Sequence, residues 1–506
     1  MFKYDISLAP FMGENKSFSV GLNPLGFRTA SEQLFVILLP GLNVATLRIR
    51  YYSFYCWLLK RFYVHRQNAT AAELKKHLRM SELLIALIHA QSNYSDGVPG
   101  NTRARKIIAR GEYTINFNED AMPGGIALGG YFKPGYGAFG SYYAASLHQM
   151  GLISTLNIGK GLFNVTSQTY NSIISGDALA NAFENTVGGK LANVFLECSH
   201  NGVVTRQQLS EMESAFQTHY LSQTDECKLL LDLLLQADKP TSEIETTFRK
   251  DTLKLLLLYI NVAKPEQFSE LDFARYVYDG FKNNREKGLA SIGWYAYYLN
   301  DSRQFEALNI FDMLLKRLLS SKRPGQWEKI DEFSYKLASE IVNEMDVHND
   351  TLNSMFERWS KINEPKEYMA KSFYAIFDNY VKNKAYLRLK HDIKTLFRNI
   401  SNDVFDYFDN IEDHLEDSVI NYVQQYLIED IIYNHYSESM RKFAQNGILS
   451  HKLTIENGYV RGLNTYSATH SSPRIKTLFD FAKDLGLIFN NELTEFGVNL
   501  LKQLEK

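Results

Sequence analysis

Two arginines, Arg48 and Arg50, sit in the stretch PGLNVATLRIRYYSFYCWLLKRFY (residues 40–63), whose other residues are mostly apolar or aromatic. A guanidinium buried in such a segment must find carboxylates, carbonyls or an external anion, because an unpaired buried charge costs roughly several kcal/mol. One solution is an internal salt bridge, for instance to Glu32 on the preceding helix, with stacking on aromatic rings. The other is a pocket for phosphate oxygens, which suits the planar fork of arginine better than lysine. Read as parts of one helix, the two side chains point a little over half a turn apart. Arg48 then lies with Tyr51, Tyr52 and Tyr55, and Arg50 with Phe54, Trp57 and Arg61. A second basic group, Arg103, Arg105, Lys106 and Arg110, falls in TRARKIIARGEY; Arg103, Lys106 and Arg110 lie at i, i+3 and i+7, on one helix face. Such a face contacts a nucleic-acid backbone without reading bases, or is simply a solvated helix surface. These six residues form the candidate nucleic-acid-binding set, with duplex DNA the expected partner.

Other chemistries find little purchase. There is no G-x-x-x-x-G-K-[ST] phosphate loop, and Gly159-Lys160-Gly161 lacks its frame. The glycines at 124–140 do not make a dinucleotide fingerprint. H-E-x-x-H and G-x-S-x-G are also absent. His391-Asp392, with His348 and His414, would serve a metal phosphohydrolase if the side chains converged. The cluster Asp403, Asp406, Asp409, Glu412, Asp413, Glu416 and Asp417 reads as a solvated helix face sooner than a two-metal site. The expectation is therefore a chain without cofactor or metal, with catalytic residues unidentified and a non-enzymatic role favoured.

The elements that must position these residues belong to a chain of 506 residues, 45% hydrophobic and 22% charged, ordinary globular usage for roughly two to four domains. Tyrosines and phenylalanines number 31 and 32, which fits a helical core of interlocking rings or a surface that stacks on bases. Cys56, Cys198 and Cys227 are too scattered for a zinc site or a disulfide framework, and a reducing interior suits them. The first residues carry acids and no long apolar core, unlike a signal peptide, and no apolar run is long enough to cross a bilayer. A soluble cytoplasmic protein without membrane contact is therefore expected. Net charge is −2, yet residues 1–150 hold 16 Lys+Arg against 9 Asp+Glu, so +7 at the amino end faces −9 in the remainder. That asymmetry points weakly to an anionic partner.

The pattern predicts a mainly α, multi-helical fold with winged-helix-like units and small β-hairpins. A helix over 30–39 should stop at Pro40-Gly41, Asn43 can cap the next, and a third should start near Ala71. The passage MPGGIALGGYFKPGYGAFG reads as loop and hairpin; with Tyr113, Tyr131, Phe132, Lys133, Tyr136 and Phe139 it could form a wing or pack on the first winged-helix unit. Residues 191–445 read as a long helical region with stops at Pro240-Thr241, Pro265, Pro324-Gly325 and Pro365. Four parts result: 1–140, helical and basic; 141–190, winged-helix-like; 191–445, helical; 446–506, winged-helix-like.

The two winged-helix assignments rest on a repeat. Residues 142–174 and 475–501 each run from an amphipathic helix through Gly-Leu-Ile, a turn and a short apolar stretch to a threonine and another helix. Gly151 and Gly486 stand where a helix end wants a left-handed residue; Thr166 and Thr494 stand where a cap is wanted. Winged helices serve nucleic-acid binding and protein packing alike.

Around Pro40, Gly41, Arg48, Arg50, Tyr51, Phe54 and Trp57, and again at YYAASLHQMGLI, the chain resembles uncharacterised bacterial proteins of genomic islands carrying anti-phage defence and DNA-modification genes. That resemblance implies a DNA-associated defence role and no activity or catalytic residue. The function expected is a DNA-binding or scaffold component of a bacterial defence or DNA-transaction system, with a protein partner from the same system. A nuclease or metal-dependent phosphohydrolase, and a structural adaptor that binds only protein, are the alternatives.

Overall fold

The computed structural model describes residues 23–64, 69–92, 94, 96–123, 135–156, 161–167, 174–236, 248–285, 288–320, 326–397, 400, 403–447 and 450–506. The first 22 residues, the glycine-rich run at 124–134 with Tyr131, Phe132 and Lys133, and the stops at Pro240-Thr241 and Pro324-Gly325 lie outside them. The fold is mainly helical, with small two- and three-stranded sheets. No helix among the described residues is long and apolar enough to cross a membrane.

The division into units differs from the four-part expectation. One unit comprises Met1–Phe35 and Ile292–Ser471; the other comprises Val36–Ser291 and Ser472–Lys506. Both the long helical stretch and the C-terminal part are thus shared between units.

In the unit built from 36–291 and 472–506, helix Arg50–Tyr63 is buried at every position from Arg50 to Leu59. A helix apolar on all sides belongs inside a core, and here rings surround it. Trp57 lies 5.2 Å from Phe183 and 5.7 Å from Phe195, which stacks on Phe216 at 4.4 Å. Helix Ala71–Gln91 begins with a Thr70/Glu73 capping box and buries Leu74, Leu78, Leu83, Leu84, Leu87 and Ile88. Its buried Glu82 corrects the loop-and-hairpin expectation at the described end of the glycine-rich passage, residues 135–140. The Glu82 carboxylate accepts the Ala138 and Phe139 N–H groups at 2.9 and 2.6 Å, and so starts a helix where glycines suggested a turn. That segment runs as a π-helix over Phe139–Tyr143, then as helix Ala144–Gln149. Tyr136 and Phe139 pack on Phe163 of the following hairpin at 5.6 and 5.3 Å.

The repeat survives at atomic level. Strands Ile153–Leu156 and Leu162–Val165 form the first hairpin, Ile488–Phe489 and Glu492–Leu493 the second. Gly151 and Gly486 both take positive φ, +76° and +74°. The Thr166 hydroxyl donates to Gly151 O at 2.8 Å, and the Thr494 hydroxyl to Gly486 O at 2.7 Å. Each hydroxyl also accepts an amide at 3.1 Å, from Gly176 and Gly497 respectively. At Gly176 and Gly497 a Cβ would strike a carbonyl oxygen, Leu152 O at 2.0 Å or Leu487 O at 2.2 Å. One difference corrects the cap assignment: Thr494 caps helix Glu495–Leu504, whereas Ser175 caps Gly176–Val187. In the first copy the glycine comes ten residues after the threonine, in the second three.

The unit containing 292–471 is a helical bundle with a three-stranded antiparallel sheet, in which Tyr459–Gly462 pairs with both Leu453–Glu456 and Glu328–Lys329. Its core includes Phe311, Leu314, Leu315, Phe373, Phe377, Phe405 and Phe408. Arg303 lies between the rings of Phe27 and Tyr407, 4.4 and 4.8 Å from their centroids. His435 is buried and accepts the Lys452 amide at 2.8 Å through Nε2, so Nδ1 carries the proton it gives to Pro24 O at 3.1 Å. Burial holds this imidazole neutral, its pKa lowered to about 3.

Candidate functional site

Arg48 does not lie on a helix. The Asn43 side chain accepts the Ala45 amide at 3.1 Å, and the Thr46 hydroxyl donates to Asn43 O at 2.6 Å, a local turn in place of a helix cap. The helix begins at Arg50, after Ile49. The non-helical stretch before it sends Arg48 sideways into a ring of acceptors. Nη1 donates to Asp484 Oδ1 at 2.8 Å; Nη2 donates to Asp96 Oδ2 at 2.8 Å and to Tyr94 Oη at 2.7 Å; Nε donates to Asp96 O at 3.2 Å. Gly97 sits against this group with φ +71°, and a Cβ there would lie 2.7 Å from Arg48 Nε. Asp484 is 1% exposed. Burial pushes its carboxyl up to about 7, against the pull of the Arg48 guanidinium.

Arg50 meets Glu226 bidentately, through Nε and Nη2, both at 3.1 Å. Its third bond goes to Gln217 O, and its guanidinium lies 5.0 Å over the Phe183 ring. Glu226 also accepts the Ser53 hydroxyl at 2.6 Å. The side chains of the pair are 4% and 1% exposed. Glu32, the partner expected from sequence, binds Arg28 instead, at 3.1 Å. The phosphate-pocket reading of Arg48 and Arg50 is therefore corrected: both guanidiniums are spent on the protein's own carboxylates, and no external anion is needed to offset their burial.

The second basic group also divides. Helix Asn101–Ile108 ends before Arg110, so Arg110 does not continue the face of Arg103 and Lys106. Arg103 and Arg110 instead converge on Asp120, which is 4% exposed; Arg110 reaches its two oxygens at 3.0 and 3.1 Å, and Arg103 bonds Oδ1. Asp120 lies on the short helix Asn118–Ala121. Arg105 and Lys106 are exposed on the outer side of their helix. The six predicted residues thus occupy three separate places: the Arg48 ring, the Arg50–Glu226 pair and the Asn101–Ile108 helix with its Asp120 clamp.

Beside Arg48 stand two imidazoles absent from the predicted set. His219 stacks on Tyr94 at 3.4 Å and 14°, and His89 Nε2 lies 3.3 Å from the Thr218 hydroxyl. Burial lowers His89 to about 3 and His219 to about 4, and the Arg48 charge lowers both further.

A groove-reading helix must turn an outer face to its ligand. Helix Ile475–Asp484, which precedes the second hairpin, leaves Lys476 as its exposed residue, and Lys476 is held by Asp480 at 2.6 Å. Helix Ala144–Gln149, before the first hairpin, exposes Ala145, His148 and Gln149.

In the unit containing 292–471, His391 and Asp392 are exposed, His348 lies 2.8 Å from the Asn349 amide, and His414 Nδ1 lies 2.7 Å from Asn410 O. Among the described residues no group of three or more His, Cys, Asp or Glu side chains could hold a metal ion. The acidic cluster is partly engaged: Asp403 caps helix Val404–Asp413, Asp406 pairs with Lys390 and Lys394, and Asp409 pairs with Lys390. A dyad that sequence reading did not find lies elsewhere. Asp301 Oδ2 is 2.7 Å from His470 Nδ1, and Asp301 Oδ1 accepts the Ser471 amide at 2.8 Å and its hydroxyl at 2.6 Å. The His470 ring stacks on Phe305 at 3.9 Å, which fixes its plane.

No family model, curated protein or solved structure matches the chain.

Proposed function

We propose that the chain is a scaffold or adaptor of a multi-component system, the bacterial defence or DNA-transaction setting that its Arg-x-Arg-Tyr segment suggests, and that it works by holding protein partners. The observation that carries this reading is the use made of its arginines. Arg48 joins the segment before one helix to Tyr94, Asp96 and Asp484; Arg50 joins that helix to Glu226; Arg103 and Arg110 clamp Asp120. Side chains suited to phosphate serve here as internal ties between elements of the fold.

The test is a filter-binding titration of duplex DNA at physiological salt. The adaptor reading expects nothing tighter than the generic range of about 10⁻⁴ to 10⁻⁶ M, and no change on replacing Arg105 and Lys106 with alanine. Nanomolar binding with a steep salt slope, lost in that double variant, would restore the DNA-binding reading.

The Asp301–His470 dyad favours a second reading, the nuclease or phosphohydrolase. A carboxylate on Nδ1 leaves Nε2 as the proton acceptor of an oriented imidazole. Cleavage of plasmid with Mg²⁺ or Mn²⁺ that disappears in His470→Gln would establish it.

A further inference from the structure

A cavity of about 270 Å³ opens above the Arg50–Glu226 pair. Its walls are unusual in composition. Ala215 and Leu221 aside, every residue of the lining carries a polar side-chain group, the hydroxyls of Thr186, Ser214, Ser222 and Thr224 among them. Ligand pockets are ordinarily mostly apolar with a few polar groups, so a wall this polar selects a ligand that hydrogen-bonds around its whole rim. The floor carries no unbalanced charge, because Glu226 meets Arg50 through both oxygens. An anion or a cation would have to compete with a pair already closed, whereas a neutral ligand would not.

One further observation points into the same cavity. His219 borders it, with its ring stacked on Tyr94. Next to it, Tyr220 takes φ +49°, a left-handed backbone that a bulky side chain adopts only under strain. Its ring lines the cavity, is 50% exposed, and lies 6.2 Å from the equally exposed Phe489 on the second hairpin. Glycine would relieve that backbone, yet the position presents an aromatic face at the mouth of a hydroxyl-lined cleft.

We infer that this cleft binds a small uncharged hydroxylated ring, which packs one face on Tyr220 and hydrogen-bonds through its rim to the surrounding hydroxyls. Two sources share that chemistry, a monosaccharide and a nucleoside. Both present a flat face and a fringe of donors and acceptors, and the cavity holds one such ring.

The experiment is saturation-transfer NMR on the full chain, with a panel of hexoses and N-acetylhexosamines in one arm and the four ribonucleosides in the other. Transfer from one arm identifies the source. Ser214→Trp fills the cavity from an exposed position and should abolish the transfer while the circular dichroism spectrum and melting temperature stay unchanged. Tyr220→Gly should raise the melting temperature and weaken binding at least tenfold, the signature of a strained residue kept for its ligand. No transfer from any probe would overturn the inference, as would transfer that persists in Ser214→Trp. Binding unchanged in Tyr220→Gly would overturn the stacking role.

Discussion

Replacing Glu226 with glutamine removes the charge opposite Arg50 while keeping the shape of the side chain. Glutamine can still accept from Ser53 and from Arg50 Nε through its carbonyl oxygen. Its amide nitrogen, however, would meet Arg50 Nη2 donor to donor, where a carboxylate oxygen now sits at 3.1 Å. The pair lies at 4% and 1% side-chain exposure, so water cannot solvate the guanidinium left behind. Removing one member of a buried pair costs about 3–5 kcal/mol, a large part of the ~5–15 kcal/mol that keeps a protein folded. For a unit of this size, at roughly 2 °C per kcal/mol, the loss is about 6–10 °C in melting temperature. Arg50→Met should cost a similar amount by stranding the carboxylate. The double variant Arg50→Met/Glu226→Gln buries no charge and should recover most of the loss. Trp57 reports on this unit, whereas Trp294, Trp327 and Trp359 belong to the other. A urea titration followed by fluorescence, in a background with those three changed to phenylalanine, isolates the transition. If Glu226→Gln shifts it by less than about 1 kcal/mol, or if the double variant is as weak as the sum of the singles, the buried-pair argument fails.

The Asp484 carboxyl, pushed up to about 7 by burial, lets the folded chain hold a proton that the unfolded chain, near the ordinary 3.8, releases. That contribution is complete below about pH 4 and is lost as pH rises through 7, so melting temperature should fall between pH 6 and 8; Asp484→Asn should flatten the fall, and an unchanged slope would refute the assignment. Gly176→Ala and Gly497→Ala each drive a methyl group into a backbone oxygen, at 2.0 and 2.2 Å. Each should cost roughly 1–3 kcal/mol, and equal losses by chemical denaturation would show that the two copies use the same device. Asp120→Asn removes the shared anchor of Arg103 and Arg110 and should speed amide hydrogen exchange over residues 101–121, with DNA affinity unchanged. Exchange as slow as in the parent protein would show that the clamp does not order this segment.

Helices were readable because their stripes of leucine and aromatic residues recur at helical spacing, as in Leu74 to Ile88. The repeat was readable because it depends on local geometry: a left-handed glycine and a threonine hydroxyl tied to the carbonyl beside it. What escaped was set by distance along the chain. Sequence alone places Arg48 on a helix because Asn43 is an equally good helix cap and turn former; the structure has the turn, held locally by Thr46 and joined by the pull of Asp484 and Asp96 on Arg48. The π-helical segment at 139–143 was hidden because its start depends on Glu82, more than fifty residues earlier. The ion-pair partners did leave a trace. Glu226 lies at i, i+4 and i+7 with Leu230 and Leu233 on an apolar stripe, and Asp484 falls with Phe481 and Thr477 on another. An acid on a core-facing stripe signals a buried partner, though not which one. The two-unit division could not be read at all, since each unit is assembled from separate stretches of chain.

The Arg48–Asp484 bond closes a gap of 436 residues. During synthesis, at about 5–20 residues per second, Arg48 leaves the ribosome roughly 20–90 s before Asp484 exists. The intervening polypeptide must wait with one side of its interior unsealed, so this stage of biogenesis is where a chaperone would be most needed. Laboratory fragments that stop short of Asp484 inherit the same open seam. Supplying residues 472–506 as a separate peptide should rescue such a fragment, which would turn the late-arriving segment into a split-protein reporter of folding.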